Sequence, residues 1–459
     1  MDVQKIESVY FIGVGGIGMS AIARYFLSQG KFVAGYDRTP SELTKRLAED
    51  GAAIHYEEDV NAIPTCCQKP ETTLVVYTPA IPAGHQELVW FRQNGFEIQK
   101  RAQVLGTITR SAKALCVAGT HGKTTTSTML AHLMSQTAEE CNAFLGGIAK
   151  NYGTNYILSE NSPWVVIEAD EFDRSFHHLS PHITAITSTD PDHLDIYGTK
   201  EAYLESFQKY TSLIQPGGAL VIHEGLEMIP ALQNGVKLYT YARHSGDFHA
   251  ENIRIGEGEI IFDYISPLGN IKDVKLGVPV SINIDNGIAA MAIAQLAGAD
   301  ATSIHQGMET FQGVDRRFDF KLKNERITFL SDYAHHPSEI RQSALSIREL
   351  YQDRQITALF QPHLYTRTRD FYKEFAESLS LFDDVILVDI YPAREAPIPG
   401  ITSQLIADHL HKDVKYQLCH KEDIPSIIRS RTDIQVLVSL GAGDIETYVP
   451  QIYQILSER

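Results

Sequence analysis

The chain has 459 residues, with 40 Lys+Arg against 57 Asp+Glu for a formal net charge of −17, 43% hydrophobic residues and 21% charged ones. At ~150 residues per domain the length predicts about three domains, and the apolar share suits several buried cores, which excludes intrinsic disorder. The acidic balance argues against a general binder of nucleic acid or of anionic membranes.

Five cysteines (Cys66, Cys67, Cys116, Cys141, Cys419) form no CxxC pair. So sparse and odd a set fits reduced thiols better than disulfides or structural zinc. The N-terminal residues meet only a short apolar run, Val9 to Ile12, and no run reaches the ~18 apolar residues of a membrane span. The expectation is a soluble cytoplasmic protein without a signal peptide.

In chain order, Val9-Tyr10-Phe11-Ile12 reads as a strand ending at Gly13. Met19, Ile22, Ala23, Phe26 and Leu27 then recur at helical spacing, and Lys31 to Tyr36 forms a second strand ending at Asp37. Strand, glycine turn, helix, strand is the start of a βαβ unit. Leu74 to Tyr77 is a further strand, followed by the loop Thr78-Pro79-Ala80. The pattern restarts with strand Leu115 to Ala118, loop Gly119 to Lys123 and a helix carrying Met129, Leu130, Leu133 and Met134, then the short strands Val165–Ile167 and Ile183–Ile186. A third restart comprises Ile327–Leu330, Ile356–Phe360, Val385–Val388 and Val436–Ser439. Three α/β segments follow, with seams placed near residues 108 and 314.

Gly13-Val14-Gly15-Gly16-Ile17-Gly18 is a G-x-G-x-x-G between strand and helix. Its glycines allow a tight turn and a close approach to a diphosphate held at the helix N-terminus, and Asp37 stands where an acid often reads a ribose. The motif specifies a dinucleotide such as NAD(P) or a nucleoside diphosphate without choosing between them. Gly119-Thr120-His121-Gly122-Lys123-Thr124-Thr125-Thr126 departs from a strict Walker A, since Val117 stands at the first glycine position. Its physics is the same: backbone N–H groups cradle phosphates, Lys123 reaches the β/γ-phosphates and Thr124 offers a hydroxyl to Mg²⁺. Glu168, ending a strand beside that loop, suits the second anchor of the metal, whereas Asp170 and Glu171 read as metal-binding or merely solvated. His193, in Asp190-Pro191-Asp192-His193, is weak as a ligand by itself because Mg²⁺ prefers oxygen. His335-His336 could be a zinc pair or a capped loop; Arg367 and Arg369, after another strand, suit carboxylates or phosphates.

Together these motifs resemble the Mur ligases of peptidoglycan assembly over essentially the whole chain. The resemblance rests on Gly13–Gly18 with Met19-Ser20, Gly119–Thr126, Glu168–Glu171, Asp192–Tyr197, Asn283 and Asn286, Phe311–Phe318, Asp332–Pro337, Gln361–Thr368 and Gly441–Ile445, in that order. It implies an α/β protein of three domains: a Rossmann-like UDP-substrate domain (1–107), a central P-loop-type ATPase (108–313) and a Rossmann-like, amino-acid-binding domain (314–459). It further implies that Gly13, Gly15, Gly16, Gly18, Asp37, Thr78, Ala80 and Tyr333 serve the UDP substrate. Gly119, Thr120, His121, Gly122, Lys123, Thr124, Thr125, Asn283, Asn286, Arg317 and Asp332 would serve ATP. Thr124 and Glu168 would hold one Mg²⁺ and His193 a second, with Lys123, His193, His335 and Arg367 nearest the chemistry.

Three departures stand out. Ile282 replaces a histidine beside Asn283, and Leu364 replaces a basic residue after Gln361-Pro362-His363. Phe207 and Gln208 occupy the positions where sister ligases carry a carbamylated lysine, which fits the alanine-adding branch. That branch joins L-alanine to UDP-N-acetylmuramate through an acyl phosphate. The competing readings are a muropeptide-recycling ligase that adds a tripeptide to the same sugar, a dinucleotide-dependent oxidoreductase and a non-catalytic nucleotide-binding regulator.

Overall fold

The computed structural model describes residues 5–78, 81–159, 162–192, 194–256, 259–393 and 395–459, the side chains of Ile17, Leu194 and Asp195 excepted. Four sheets follow one another along the chain. The first contains β1 (Ser8–Ile12), β2 (Phe32–Tyr36), β3 (Ala53–His55), β4 (Thr73–Tyr77) and β5 (Glu97–Lys100) in the order β3-β2-β1-β4-β5, all parallel. β1 is central and buried along its whole length, hence its continuous apolar run rather than an alternating one. Ile12 pairs with Tyr36 on one side and Tyr77 on the other, so Gly13, Asp37 and Thr78 leave the sheet at one edge.

The second sheet contains β6 (Lys113–Ala118), β7 (Asn142–Ala149), β8 (Thr154–Ile157), β9 (Trp164–Glu168), β10 (Pro181–Ile186), β11 (Ala219–His223) and β12 (Lys237–Tyr241). Its order is β12-β11-β10-β6-β9-β7-β8, with β7 and β8 antiparallel and the remaining pairs parallel. Ala118 pairs with Ile186 and Val117 with Glu168, which brings Gly119, Glu168 and Thr187 to one edge. A small sheet β13 (His249–Gly256), β14 (Glu259–Ile265), β15 (Ile271–Lys275) comes next. The last contains β16 (Asp319–Lys323), β17 (Thr328–Asp332), β18 (Ile356–Phe360), β19 (Asp384–Val388), β20 (Lys415–Cys419) and β21 (Val436–Leu440), in the order β16-β17-β21-β18-β19-β20. Only β16 runs antiparallel there, and Leu440 pairs with both Asp332 and Phe360.

The chain divides into two compact units: Met1–Asn252 with Phe262–Gly277 and Asp285–Gln312, and Ile253–Ile261 with Val278–Ile284 and Gly313–Arg459. In the first unit a single apolar cluster crosses from one sheet to the next, joining Val9, Ile22 and Phe26 to Phe144, Tyr156 and Ile167. Residue 108 accordingly lies inside the helix Arg101–Ser111, with Ile108 buried in that cluster. The second unit has its own core around Phe329, Leu359, Ile386, Leu437 and Ile452. The strands expected from apolar runs all form. Several of those not expected are short or exposed, such as β3 with three residues and β20, whose side chains are largely in solvent, whereas β11 is buried from Ala219 to Ile222 and was not expected either. All five cysteines are free thiols, and no described helix is long and apolar enough to cross a membrane.

Candidate active site

The first glycine turn closes over the end of β1. Gly13 and Val14 donate their N–H groups to the Tyr36 carbonyl at 2.8 and 3.1 Å, with Gly13 at φ +89°. A side chain there would also meet the Thr78 methyl at 2.7 Å. The Gly15 N–H donates to Asp37 Oδ2 at 2.6 Å, so the acid expected to read a ribose sits within the turn. Gly16 caps the helix Ile17–Ser28 without a side-chain hydrogen bond, leaving the first N–H groups available to an anion. Gly18 lies against the Arg101 guanidinium. Gly13, Gly15, Gly16, Gly18, Asp37 and Thr78 thus gather as expected; Ala80 lies outside the described residues.

The second loop follows β6. Gly119 (φ +136°) and Gly122 (φ +80°) adopt conformations that side chains rarely take, and Gly122 caps the helix Lys123–Met134. The loop is held from below: Thr120 Oγ1 donates to the Asp190 carbonyl at 2.7 Å, and the His121 N–H to Ser188 Oγ at 2.8 Å. The Thr126 hydroxyl donates to Asn286 Oδ1 at 3.2 Å, which fixes Asn286 beneath the loop. A Cβ on Gly122 would come within 2.6 Å of that same Asn286 oxygen. Thr125 is half-buried in the first helical turn. Asn283 is also buried, donating to the Val278 carbonyl at 3.2 Å, while Ile282 is exposed.

Lys123 Nζ donates to the Gly119 carbonyl at 2.6 Å and stands 2.8 Å from both carboxylate oxygens of Glu171. Glu171 is 1% exposed, and burial pushes its carboxyl above the usual range against the opposing pull of Lys123. The solvated reading of Glu171 is therefore corrected: it is a buried carboxylate paired with Lys123. Asp170 instead faces Arg101, at 3.6 Å. Thr124 Oγ1 donates to Glu168 Oε1 at 3.1 Å, and the Gly146 N–H steadies the other carboxylate oxygen at 3.2 Å. Gly146 carried no sequence signal; a Cβ there would collide with Glu168. Among the described residues no group of three or more His, Cys, Asp or Glu gathers as a metal cluster. A hydroxyl beside one carboxylate at a phosphate loop fits Mg²⁺, which keeps few protein ligands and completes its shell with water and substrate phosphates. His193 lies outside the described residues. Phe207, where sister ligases carry a lysine, is fully buried in the core.

In the second unit, Asp332 ends β17 and accepts the Ser343 hydroxyl; burial raises its pKa. Two cations approach the Tyr333 ring, the Arg316 and Arg317 guanidiniums lying 4.7 and 5.1 Å from its centroid. His335 Nδ1 is 3.0 Å from the Tyr333 carbonyl, the His335 backbone N–H donates to Glu339 Oε2 at 2.9 Å, and burial lowers the ring's pKa. A neutral ring donating from Nδ1 leaves Nε2 as a proton acceptor, a tautomer inferred from this network. His336 caps the helix Pro337–Leu350 by accepting from the Ser338 N–H. The zinc-pair reading of the two histidines gains no support, because His336 caps a helix and no third or fourth ligand gathers with them among the described residues. Arg367 Nη1 is buried without a hydrogen-bond partner, as a group awaiting an anion would be. Gln361 joins two motifs, donating to Asp444 at 2.8 Å and accepting from the Ile445 N–H at 3.0 Å. Leu364 caps the helix Tyr365–Leu379 at φ +71°.

Three family models match in sequence: Mur ligase family, catalytic domain (residues 8–113), Mur ligase middle domain (117–294) and Mur ligase, glutamate ligase domain (316–443). The chain is 68% identical over 459 residues to the UDP-N-acetylmuramate–L-alanine ligase of Phocaeicola vulgatus, covering 100% of both chains. It is 57% identical over 460 residues to the enzyme of that name from Parabacteroides distasonis, covering 100% of this chain and 99% of the other. Among solved structures, the UDP-N-acetylmuramate-alanine ligase of Thermotoga maritima superposes with a TM-score of 0.79 at 27% identity, covering 98% of each chain. A murein peptide ligase from Psychrobacter arcticus shares the fold, with a TM-score of 0.65 at 19% identity over 99% of each chain. With a lysine-bearing phosphate loop, a strand-end acid and three consecutive family domains, this chain belongs to the Mur ligase family.

Proposed function

We propose that the protein joins L-alanine to UDP-N-acetylmuramate at the expense of ATP, supplying UDP-N-acetylmuramoyl-L-alanine for peptidoglycan synthesis in the cytoplasm. The observation that carries this reading is the 68% identity, over 100% of both chains, to a UDP-N-acetylmuramate–L-alanine ligase. We assign residues 1–107 to the UDP substrate, 108–313 to ATP and 314–459 to the amino acid.

A carboxylate and an amine do not condense at neutral pH, because oxide would have to leave. Transfer of the γ-phosphoryl group to the lactyl carboxylate gives an acyl phosphate and ADP. The alanine amine then attacks the acyl carbon, phosphate departs, and the amine loses a proton. The loop Gly119–Thr125 cradles the ATP phosphates, with Lys123 exchanging its contact with Glu171 for one with the transferring group. Thr124 and Glu168 would hold one Mg²⁺ and His193 a second, and the ions when bound would supply charge neutralisation on the phosphates. Asn283, Asn286, Arg317 and Asp332 serve the nucleoside and phosphates of ATP. Arg367 offers its unpartnered N–H to a substrate carboxylate, and neutral His335 takes the amine proton. Gly13–Gly18, Asp37, Thr78 and Ala80, with Tyr333, take the UDP sugar.

The test is phosphate release from ATP and Mg²⁺ in the presence of UDP-N-acetylmuramate, with no acceptor, with L-alanine, or with the recycling tripeptide. Release that requires L-alanine, with a product one alanyl residue heavier, is the expected result. Release that requires the tripeptide assigns the protein to recycling, and none at all overturns the ligase reading.

A further inference from the structure

Helix Arg101–Ser111 opens with two cations, Lys100 at its N-cap and Arg101 as its first residue, at the end where the helix dipole is already positive. That arrangement is unfavourable unless anions lie close. Lys100 Nζ is 3.4 Å from Asp173 Oδ2, and Arg101 Nη2 is 3.6 Å from Asp170 Oδ2. The second pairing is loose. Its length exceeds that of a hydrogen bond, the two side chains are 31% and 37% exposed, and Asp170 already accepts the Phe172 N–H at 3.0 Å. No hydrogen bond joins the Arg101 guanidinium to another described residue.

The guanidinium instead lies on the first glycine turn. A methyl group on Gly18 would stand 3.0 Å from Arg101 Cδ and 3.1 Å from Cζ, and nearer still to Nη1. Gly18 belongs to the first turn of the helix whose Gly16 cap leaves N–H groups open. Open amides and a planar cation with spare donors therefore border the same space beyond β1.

We propose that Arg101 donates to the diphosphate of the nucleoside-diphosphate substrate, closing the glycine turn over it, and that Asp170 is a positioning residue that holds Arg101 there. The inference rests on the reading of Gly13–Gly18 as the UDP-sugar cradle. Arginine suits the task because its fork meets two phosphate oxygens at once. Asp170 follows Glu168 by two residues and precedes Glu171, the partner of Lys123, so the contact ties the loop that holds one substrate to the loop that binds ATP.

The experiment is calorimetric titration of the full chain with UDP-N-acetylmuramate, UDP and UMP, for wild type, Arg101→Ala, Arg101→Lys, Asp170→Asn and Gly15→Val. Losing a charge-assisted contact corresponds to roughly 10- to 100-fold in affinity. Arg101→Ala is expected to weaken UDP and the UDP sugar by about that factor while UMP, lacking the second phosphate, changes by less than about 3-fold. Arg101→Lys should recover part of the loss, and Asp170→Asn should show a smaller loss with the same UDP-over-UMP signature. Both substituted side chains are part-exposed, so the variants should fold, and Arg101→Lys carries the test if Arg101→Ala does not. Equal weakening of UDP and UMP would mark a merely structural role and overturn the proposal. Unchanged UDP affinity in Arg101→Ala, with binding abolished by Gly15→Val, overturns the role of Arg101 and leaves the cradle standing. Unchanged affinity in Gly15→Val as well overturns the cradle reading itself.

Discussion

Lys123 and Glu171 are a buried pair whose two members have different consequences when removed. On the proposed mechanism Lys123→Ala removes the cation at the transferring phosphate, and it strands a carboxyl that is 1% exposed. We expect turnover to be lost and stability to fall by about 1–3 kcal/mol, the cost of an unpartnered buried polar group. Adding Glu171→Gln should restore the melting temperature without restoring activity; a Lys123→Ala enzyme that still turns over would remove the lysine from the mechanism. His335 offers a pH signature. Burial holds its pKa below the ordinary 6.5, and its base form is the neutral one, so full rate should persist below pH 6.5 and fall only as the ring charges. A pH–rate profile of His335→Gln should lose that acid limb and show kcat lower by about 10²- to 10⁴-fold. At this scale the sequence was partly legible. Lys123, Thr124 and Glu168 sit in motifs that placed them at one loop and strand end, where Thr124 and Glu168 meet. Glu171 did not announce itself, because a second acid two or three residues past a strand end is solvated or buried according to how the loop folds back.

At the scale of elements, the candidate residues of each unit stand at strand ends. In the first unit Gly13, Gly119 and Glu168, and in the second Tyr333, each stand at the carboxyl end of a parallel strand, where open α/β sheets bind ligands. The register of β6 with β9 and β10 brings Glu168 and Thr187 to the loop that Lys123 begins to wind into a helix. Gly122 is the hinge of that turn. Gly122→Ala meets both a left-handed backbone, costing about 1–2 kcal/mol, and the Asn286 oxygen 2.6 Å away. Its expected outcome is a raised KM for ATP with the KM for alanine little changed, measured by the same phosphate-release assay. The strands that carry the site were visible as apolar runs because they are buried on both faces. β7, whose Gly146 N–H meets Glu168, and its partner β8 were not, since their runs are broken by glycine and polar residues. At the second histidine of His335-His336 a helix cap had the look of a ligand, because the residue types that cap and those that bind metal overlap.

Across the whole molecule, three α/β segments in sequence become four sheets in two compact units. In the first unit the apolar face of helix Ile17–Ser28 packs against β7 side chains as well as its own sheet, with Tyr25 and Phe144 ring centroids 5.7 Å apart. Phe26→Ala should therefore cost about 3–5 kcal/mol and raise amide exchange in β1 and β9 together; a rise confined to β1 would show that the two sheets open independently. The sequence by itself determined the α/β class, the order of the segments and the residues of both phosphate turns. Each of those depends on local periodicity, or on a spacing that only one backbone conformation satisfies. Tertiary structure alone decided that Glu171 pairs with Lys123, that Asn286 braces the phosphate loop, that His336 caps a helix and that Arg101 reaches Gly18. Those contacts join residues brought together by sheet register and by packing between layers, and the free energy that selects them comes from burial summed over the whole core rather than from any short stretch of chain.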